Sequence, residues 1–470
     1  MKYIIFTYAG EGLPIAKHLQ DEGQEVIVGV VEDKRAVLTR AEKRTEEEEG
    51  VLEKKRRLSL YKNLVNRISA EELLRKMARI KNPQDYFVFF DYNNLFRYAE
   101  HALALGFTNG NFPTEKDRLF EVDRDEAKDF VRKYYPHINI TEKYEFRSIR
   151  RAKKFLKENN GTRVWVLKGK IVEAPTVVPN TDDPELAKWQ IIEALEAFKD
   201  YYEYAGFIIE QRINAVVEIT PEKIYYDGVP LAMTINFENK PLGSGNLSLQ
   251  TGCAQDLVFP VSMEGKIHDI AFPPIVDKLA KRHKGLFFWD ASLLINRQTG
   301  DIYFGEFCPN RPGYNSFFTE LSQLPSVHHF FESVAAKKNP FTLGTVGSSI
   351  TLFNLSRDPA ERRVLAGASI DYSEASQKDI WAYDIYKRTK NDRMRIVGYD
   401  WQMAPITGSG ESVDEAVIKL YKNVERFFLA NVYYRPKSDF LSMEYPTSIL
   451  NRLRYGLKKG LYPLPFSVTF

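Results

Sequence analysis

Two cysteines in 470 residues leave no basis for a disulfide framework, so a reducing, cytoplasmic setting is expected. No apolar run approaches the roughly 20 residues that a membrane helix needs. The opening "MKYIIFTYAGEG" meets glycine after a short apolar stretch, too short for a signal-peptide core. The seven histidines show no zinc-type spacing. Net charge is only +3, which argues against a dedicated nucleic-acid or membrane surface. Internal repeats and long low-complexity tracts are missing too. What is present is ordinary globular composition, 44% apolar and 27% charged. The length suits roughly two to four structural units.

"KYIIFTY" is continuously apolar, the mark of a parallel strand buried on both faces. "AGEGLPIAKHLQDEG" predicts a helix with Pro14 near its start and Gly23 at its end, and "QEVIVGVVE" a second strand. "DYFVFFDYN" is a further buried strand. These define an N-terminal doubly wound α/β domain over 1–112, with a charged, helical insertion at about 33–80. "TEKDRLFEVDRDEAKDFVRKYYP" is helical, with a capping pattern at Asp123 and Glu126. "TRVWVLKGK" and "GFIIEQRINAVVEIT" are strands, "KIYYDGVPLAMTIN" a strand pair, and "LGSGNLSLQTGCAQ" a polar loop. A β-hairpin follows, "GLFFWDASLLIN" to "DIYFGEF", and Ser412 with Glu415 caps a late helix. The final stretch, 446–470, is basic and aromatic: either a partner contact or a tail packed on its own chain.

Several residues in this order suit nucleotide chemistry. Lys168 ends a strand, Glu210 and Glu218 follow on the next, and the hairpin presents Asp290 and Glu306. A cation can neutralise a triphosphate and carboxylates can hold a divalent metal. Singly, each is weak: a strand-end lysine is usually a solvated charge and a hairpin carboxylate usually surface decoration.

The order of parts resembles the ATP-grasp ligases, and within them phosphoribosylamine-glycine ligase (glycinamide ribonucleotide synthetase), over about residues 1–440. "DRDEAKDF" is similar to the family's "SKAFAKDF", and "EQRINAVVE" to its "EEFLxGEE". "PLAMTINFENKPLGSGNLSLQTGCAQ" resembles "PLxxxQDHKRLGDGDxGPNTGGMG", and "GEFCPNRPGYNSF" resembles "LEFNxRFGDPE". The resemblance implies an α/β and α+β architecture. An N-terminal pre-ATP-grasp domain comes first, then a central ATP-grasp domain at 113–335 with a mobile subdomain near 140–212. A small C-terminal α+β domain occupies 336–445.

It also implies roles. Lys168, with Arg124 in place of the family's helix lysine, would contact ATP phosphates, and both would act in catalysis with Arg311. Glu210, Gln211, Arg212 and Ile213 would bind adenine, and Glu218 would lie near the ribose. Glu306 would hold Mg2+ or Mn2+. Arg311 would hold a substrate carboxylate or acyl phosphate. Gly10, Glu11 and Gly12 would receive the amine's phosphate at a helix start. Lys240, Gln250, Thr251 and Gly252 would line the substrate side. The implied partners are a small carboxylate, glycine or a different amino acid, and an amine, with or without a phosphate, a nucleotide-derived amine included. A monomer or homodimer is expected, with no membrane or nucleic acid.

Departures stand beside these matches. "GKIVEAPTVVPN" replaces a glycine-rich lid, and "SLQTGC" replaces "GPNTGG". Cys308 stands where the family has a metal asparagine. A thiol is a poor ligand for a hard cation, so either Asn310 or Asp290 would supply the second oxygen. A Cys253–Cys308 disulfide is not expected on compartment grounds. The expected activity is ATP-dependent amide formation through an acyl phosphate, of the kind used in purine biosynthesis. The alternative is a non-catalytic ATP-grasp relative that binds a nucleotide or a protein.

Overall fold

A computed structural model describes residues 1–39, 42–44, 49–159, 163–169, 175–179, 181–213, 216–312, 315–354, 366–429, 432–442 and 448–463. The chain forms two compact units. The larger comprises Met1–Ala127, Ile219–Ser292 and Glu306–Phe470; the smaller comprises Lys128–Glu218 and Leu293–Gly305.

The larger unit opens with a four-stranded parallel sheet. Lys2–Thr7 lies between Val26–Val30 and Tyr86–Phe90, and Arg67–Ser69 adds the edge beside Val26–Val30. Five of the six residues of Lys2–Thr7 are buried, as expected for an inner parallel strand. Ile4, Phe6, Val88, Phe90 and Phe107 centre its core, and the Phe6 and Phe90 rings stack 5.0 Å apart. The 33–80 insertion departs from an all-helical reading, because it supplies the edge strand Arg67–Ser69. Nor is it merely solvated. The Arg57 side chain is buried, donates to the Val31 carbonyl at 2.6 Å and pairs with Glu49 at 2.7 Å.

A larger, mainly antiparallel sheet follows. Val216–Tyr226 and Val229–Gly243 form a hairpin across Asp227–Gly228. The expected polar loop is instead the continuation of this meander. Leu247–Val261 pairs back on Val229–Gly243, with irregular register around Gln250, and its far half pairs with Val346–Asn354. That second partner lies some 90 residues on in sequence, so local composition could not reveal it. The helix Val413–Val424, capped by the Ser412 hydroxyl, packs closely on Gln402–Gly410. Gly408 permits this, since a Cβ there would lie 2.4 Å from the Leu420 nitrogen.

The C-terminal stretch lies on its own unit through helix Ile449–Lys458. Arg452 donates to the Glu238 carbonyl at 2.8 Å and to Asn239 Oδ1 at 2.6 Å.

The smaller unit has a three-stranded antiparallel sheet with Phe207–Gln211 between Lys143–Phe146 and Trp165–Gly169. Helices Ile149–Glu158 and Pro184–Ala197 help to bury Trp165, Leu167, Ile191, Leu195 and Ile209.

Candidate functional site

In the smaller unit, sheet register places Lys168 opposite Ile208, two positions from Glu210 on the same face. The Lys168 ammonium reaches Glu210 Oε2 at 2.5 Å. Lys128 donates to Glu210 Oε1 at 2.7 Å, and the Thr141 hydroxyl donates to the same oxygen. Burial raises the Glu210 carboxyl, but Lys168 and Lys128 outweigh it and hold it at about 2. Two ammonium groups on one carboxylate leave a net positive cluster, a chemistry that fits triphosphate oxygens.

Lys128 was missed from sequence. Its signal was the "AKDF" shared with the family motif, overshadowed by the Arg124 replacement four residues earlier. Asp123 does act as a helix cap, accepting from the Asp125 and Glu126 amides, while the reciprocal capping box is at Thr114 and Asp117.

The segment Glu210–Ile213 is held from within its unit. The Gln211 amide donates to the Glu142 carbonyl and the Arg212 amide to the Val164 carbonyl, each at 2.8 Å. The Arg212 guanidinium holds the Pro179 and Thr181 carbonyls and pairs with Asp182 at 2.6 Å. Ile213 is buried and Glu218 half-buried. Half of the lid replacement, 170–174 and 180, lies outside the described residues. Within its described part, Val177 pairs with Leu167 through two backbone hydrogen bonds.

In the larger unit the hairpin places Asp290 and Glu306 on strands Leu286–Asn296 and Ile302–Phe307. Lys240 donates to Glu306 Oε1 at 2.9 Å, and its charge holds the Glu306 carboxyl at about 2. Asp290 behaves oppositely: burial lifts it to about 7, and the Glu306 charge adds to the rise. Its Oδ1 accepts the Cys308 amide at 2.9 Å.

The Cys308 thiol is raised well above its usual value by burial, then by Asp290 and Glu306. It stays protonated and cannot ligate a hard cation. Both cysteines are free thiols. Asn310 is fully buried with φ +55°, its amide nitrogen toward Asp117 at 3.4 Å. Asp290 Oδ1 is thus taken by the Cys308 amide, whereas Asn310 Oδ1 is buried without a hydrogen-bond partner among the described residues, so both alternatives stand. Among the described residues no group of three or more His, Cys, Asp or Glu gathers as a metal cage. Two carboxylates still suit magnesium, which commonly takes one or two protein carboxylates and completes its shell with phosphate and water.

Arg311 is held by partners that sequence reasoning missed. Its guanidinium pairs with Glu121 and lies 4.2 Å from the centre of the Tyr92 ring. Glu121 also accepts from Tyr92 and Asn93, at 3.1 and 2.7 Å. Nothing in the helix Glu115–Val122 singles it out, because its partner lies 190 residues away. Arg124 is exposed, and its charge acts on Glu306. Thr251 donates to the Lys240 carbonyl at 2.6 Å, while Gln250 and Gly252 lie on the same hairpin strand rather than in a loop.

The glycine turn joins Lys2–Thr7 to helix Leu13–Asp21. The Gly10 amide donates to Thr7 Oγ1 at 3.0 Å and the Gly12 amide to Asp91 Oδ2 at 2.6 Å. The amides expected to face a phosphate are thus given to side chains of the chain itself. A cavity of about 110 Å³ opens above this turn, lined by Glu11, Arg311, Asp384, Tyr399, Asp400 and Gln402 among others.

The fold that carries these residues is similar to that of solved phosphoribosylamine-glycine ligase structures. No family model matches the sequence, and no curated protein matches it. Solved structures do. The chain is similar to phosphoribosylamine-glycine ligase from Thermotoga maritima, with 14% identity, 93% of this chain and 99% of that one covered, and TM-score 0.58. Phosphoribosylglycinamide synthetase from Anaerococcus prevotii is similar at 14% identity, over 91% and 98% of the two chains, with TM-score 0.51. Biotin carboxylase from Campylobacter jejuni gives 12% identity, 99% and 98% coverage, and TM-score 0.52.

Proposed function

We propose that this chain is an ATP- and magnesium-dependent carboxylate-amine ligase. ATP would transfer its γ-phosphoryl group to a substrate carboxylate, giving an acyl phosphate and ADP. An amine would then attack the carbonyl carbon, forming the amide and releasing phosphate. The observation that carries this reading is the pairing of Lys128 and Lys168 on Glu210, which builds a buried cationic cluster on an ATP-grasp fold.

In the smaller unit, the two lysines would take phosphate oxygens, and the Glu210–Ile213 segment with Glu218 would meet the nucleoside. In the larger unit, Asp290 and Glu306 would hold magnesium, whose charge would offset that building on the transferred phosphoryl group. Arg124 would add positive charge near Glu306. Arg311, oriented by Glu121 and Tyr92, would receive the substrate carboxylate. Positioning and charge stabilisation would supply the rate enhancement.

ADP formation from ATP, magnesium and a panel of amino acids and amines tests the reading. Lys168→Ala should lower kcat/KM by roughly 10²- to 10³-fold, the usual cost of removing one transition-state charge partner. No turnover together with no ATP-induced rise in Tm would sink the proposal.

A second reading, a relative that binds nucleotide without turnover, has its own support. The Lys240 ammonium already neutralises Glu306, and a neutral thiol stands at position 308. It predicts an ATP-induced rise in Tm without ADP formation.

A further inference from the structure

The cavity above the glycine turn carries a statement about the substrate. Its charge balance opposes a phosphate. Glu11 and Asp400 line it against a single guanidinium, on Arg311, which Glu121 shares and which on the ligase reading faces the substrate carboxylate. The backbone amides that would cradle an anion at the helix start are donated to Thr7 and Asp91. Asp91 adds a further buried carboxyl directly behind the turn. Asp384 is spent on structure: it accepts the Gly398 and Tyr399 amides at 2.8 and 2.9 Å, fixing the turn that presents Tyr399 and Asp400. Glu11 Oε2 is buried and has no hydrogen-bond partner among the described residues. Burial lifts the Glu11 carboxyl, its own backbone amide and then Arg311 draw it down, and Asp400 and Glu121 push it up again.

Size points the same way. The cavity measures about 110 Å³, against about 300 Å³ or more for sites that enclose drug-sized ligands. It suits an ammonium group with a short chain and is small for a ribose phosphate. Tyr399 and Gln402 bring an aromatic face and a side-chain amide to its wall, both compatible with a cation.

We propose that this cavity receives the amine of the ligation as a small cation without a phosphate group, its ammonium set against Glu11 and Asp400, whose carboxylates take the proton that must leave before the neutral amine can attack. The inference rests on the ligase reading for the role of the amine, but the binding itself can be tested separately.

The test is isothermal titration of the full chain with glycinamide, ribose 5-phosphate and inorganic phosphate, with ATP and magnesium titrated into the same preparation. Glycinamide should give saturable binding, at least tenfold weaker in Glu11→Gln, since a charged hydrogen-bond partner is lost without change of shape. Asp400→Asn should weaken it by about fivefold or more and guards against a folding defect in the first variant. The two phosphates should give no saturable heat. Saturable binding of ribose 5-phosphate in place of glycinamide overturns the proposal, as does glycinamide affinity unchanged in both variants. Glu11-dependent glycinamide binding in a chain that binds no ATP upholds the cavity and refutes the ligase reading. ATP binding, with ribose 5-phosphate and not glycinamide bound saturably in the cavity, does the reverse.

Discussion

Glu210 shows how a single residue can be read from its surroundings. Its carboxyl sits at about 2 in the folded chain against an unfolded value of 4.5, because two ammonium groups outweigh the effect of burial. The linked stability is therefore fully present above about pH 4.5 and drains away as pH falls toward 2. Replacing it strands Lys128, whose side chain is only 5% exposed. Glu210→Gln should cost about 3 kcal/mol or more in urea unfolding at pH 7, the scale for breaking a buried ion pair. Between pH 5 and 3 the variant should also lose less stability than the parent. Parallel curves would show that Glu210 is not held by the lysines. At this scale the sequence was half legible. Lys168 and Glu306 stood at strand ends where chemistry of this kind belongs. Lys128 was visible in a motif but passed over. Glu121 and Tyr92 could not be found, because a helix glutamate acquires meaning only when the chain brings Arg311 to it.

Elements were legible where their partners are near in sequence. The opening βαβ, the hairpin ending at Phe307 and the Ser412-capped helix follow from local pattern. The segment Leu247–Val261 does not: its glycines and polar residues suggest a loop, yet it gains strand partners on both sides, one of them remote. Tertiary pairing overrode propensity there. The turn after the first strand gives a prediction that pattern alone would miss. Gly12 has an ordinary helical φ of −79°, so no backbone strain demands glycine. A Cβ would lie 3.1 Å from Asp91 Cβ, Asp91 Oδ2 and Ile5 Cγ2, all in the packed sheet end. Gly12→Ala should destabilise by about 1–3 kcal/mol through overpacking. Gly50→Ala, with nothing within 4 Å of its Cβ, meets no clash and should cost only about 0.5 kcal/mol, through the poorer N-cap it gives Val51–Arg57. Chemical denaturation of the pair measures the contrast, and equal effects would contradict the packing account.

The whole chain is built around separate cores, and that separation should be measurable. Leu167 lies fully buried in the core of the smaller unit, with Trp165, Ile191 and Ile209. Leu167→Ala should remove about 2–5 kcal/mol from that core. Hydrogen exchange should then quicken in Lys143–Phe146, Trp165–Gly169 and Phe207–Gln211 while Lys2–Thr7 keeps its protection. Uniform quickening would mean that the chain unfolds as one. The order of parts made the fold readable from the sequence even at 14% identity to its solved relatives, since each part answers to local physics. The cavity above the glycine turn was not readable, because it is assembled from residues near positions 10, 311 and 400, and no local pattern reports charge balance at a meeting point. The two thiols have a practical consequence. Cys253 is 2% exposed, and burial with neighbouring carboxylates keeps both protonated far above neutral pH. Both therefore hold back the thiolate that alkylating dyes attack, and the natural chain should react slowly with maleimides, the half-buried Cys308 faster than Cys253. A single introduced cysteine, such as Tyr204→Cys at a position 82% exposed, could carry a fluorophore with little background labelling and no need to strip out the native pair.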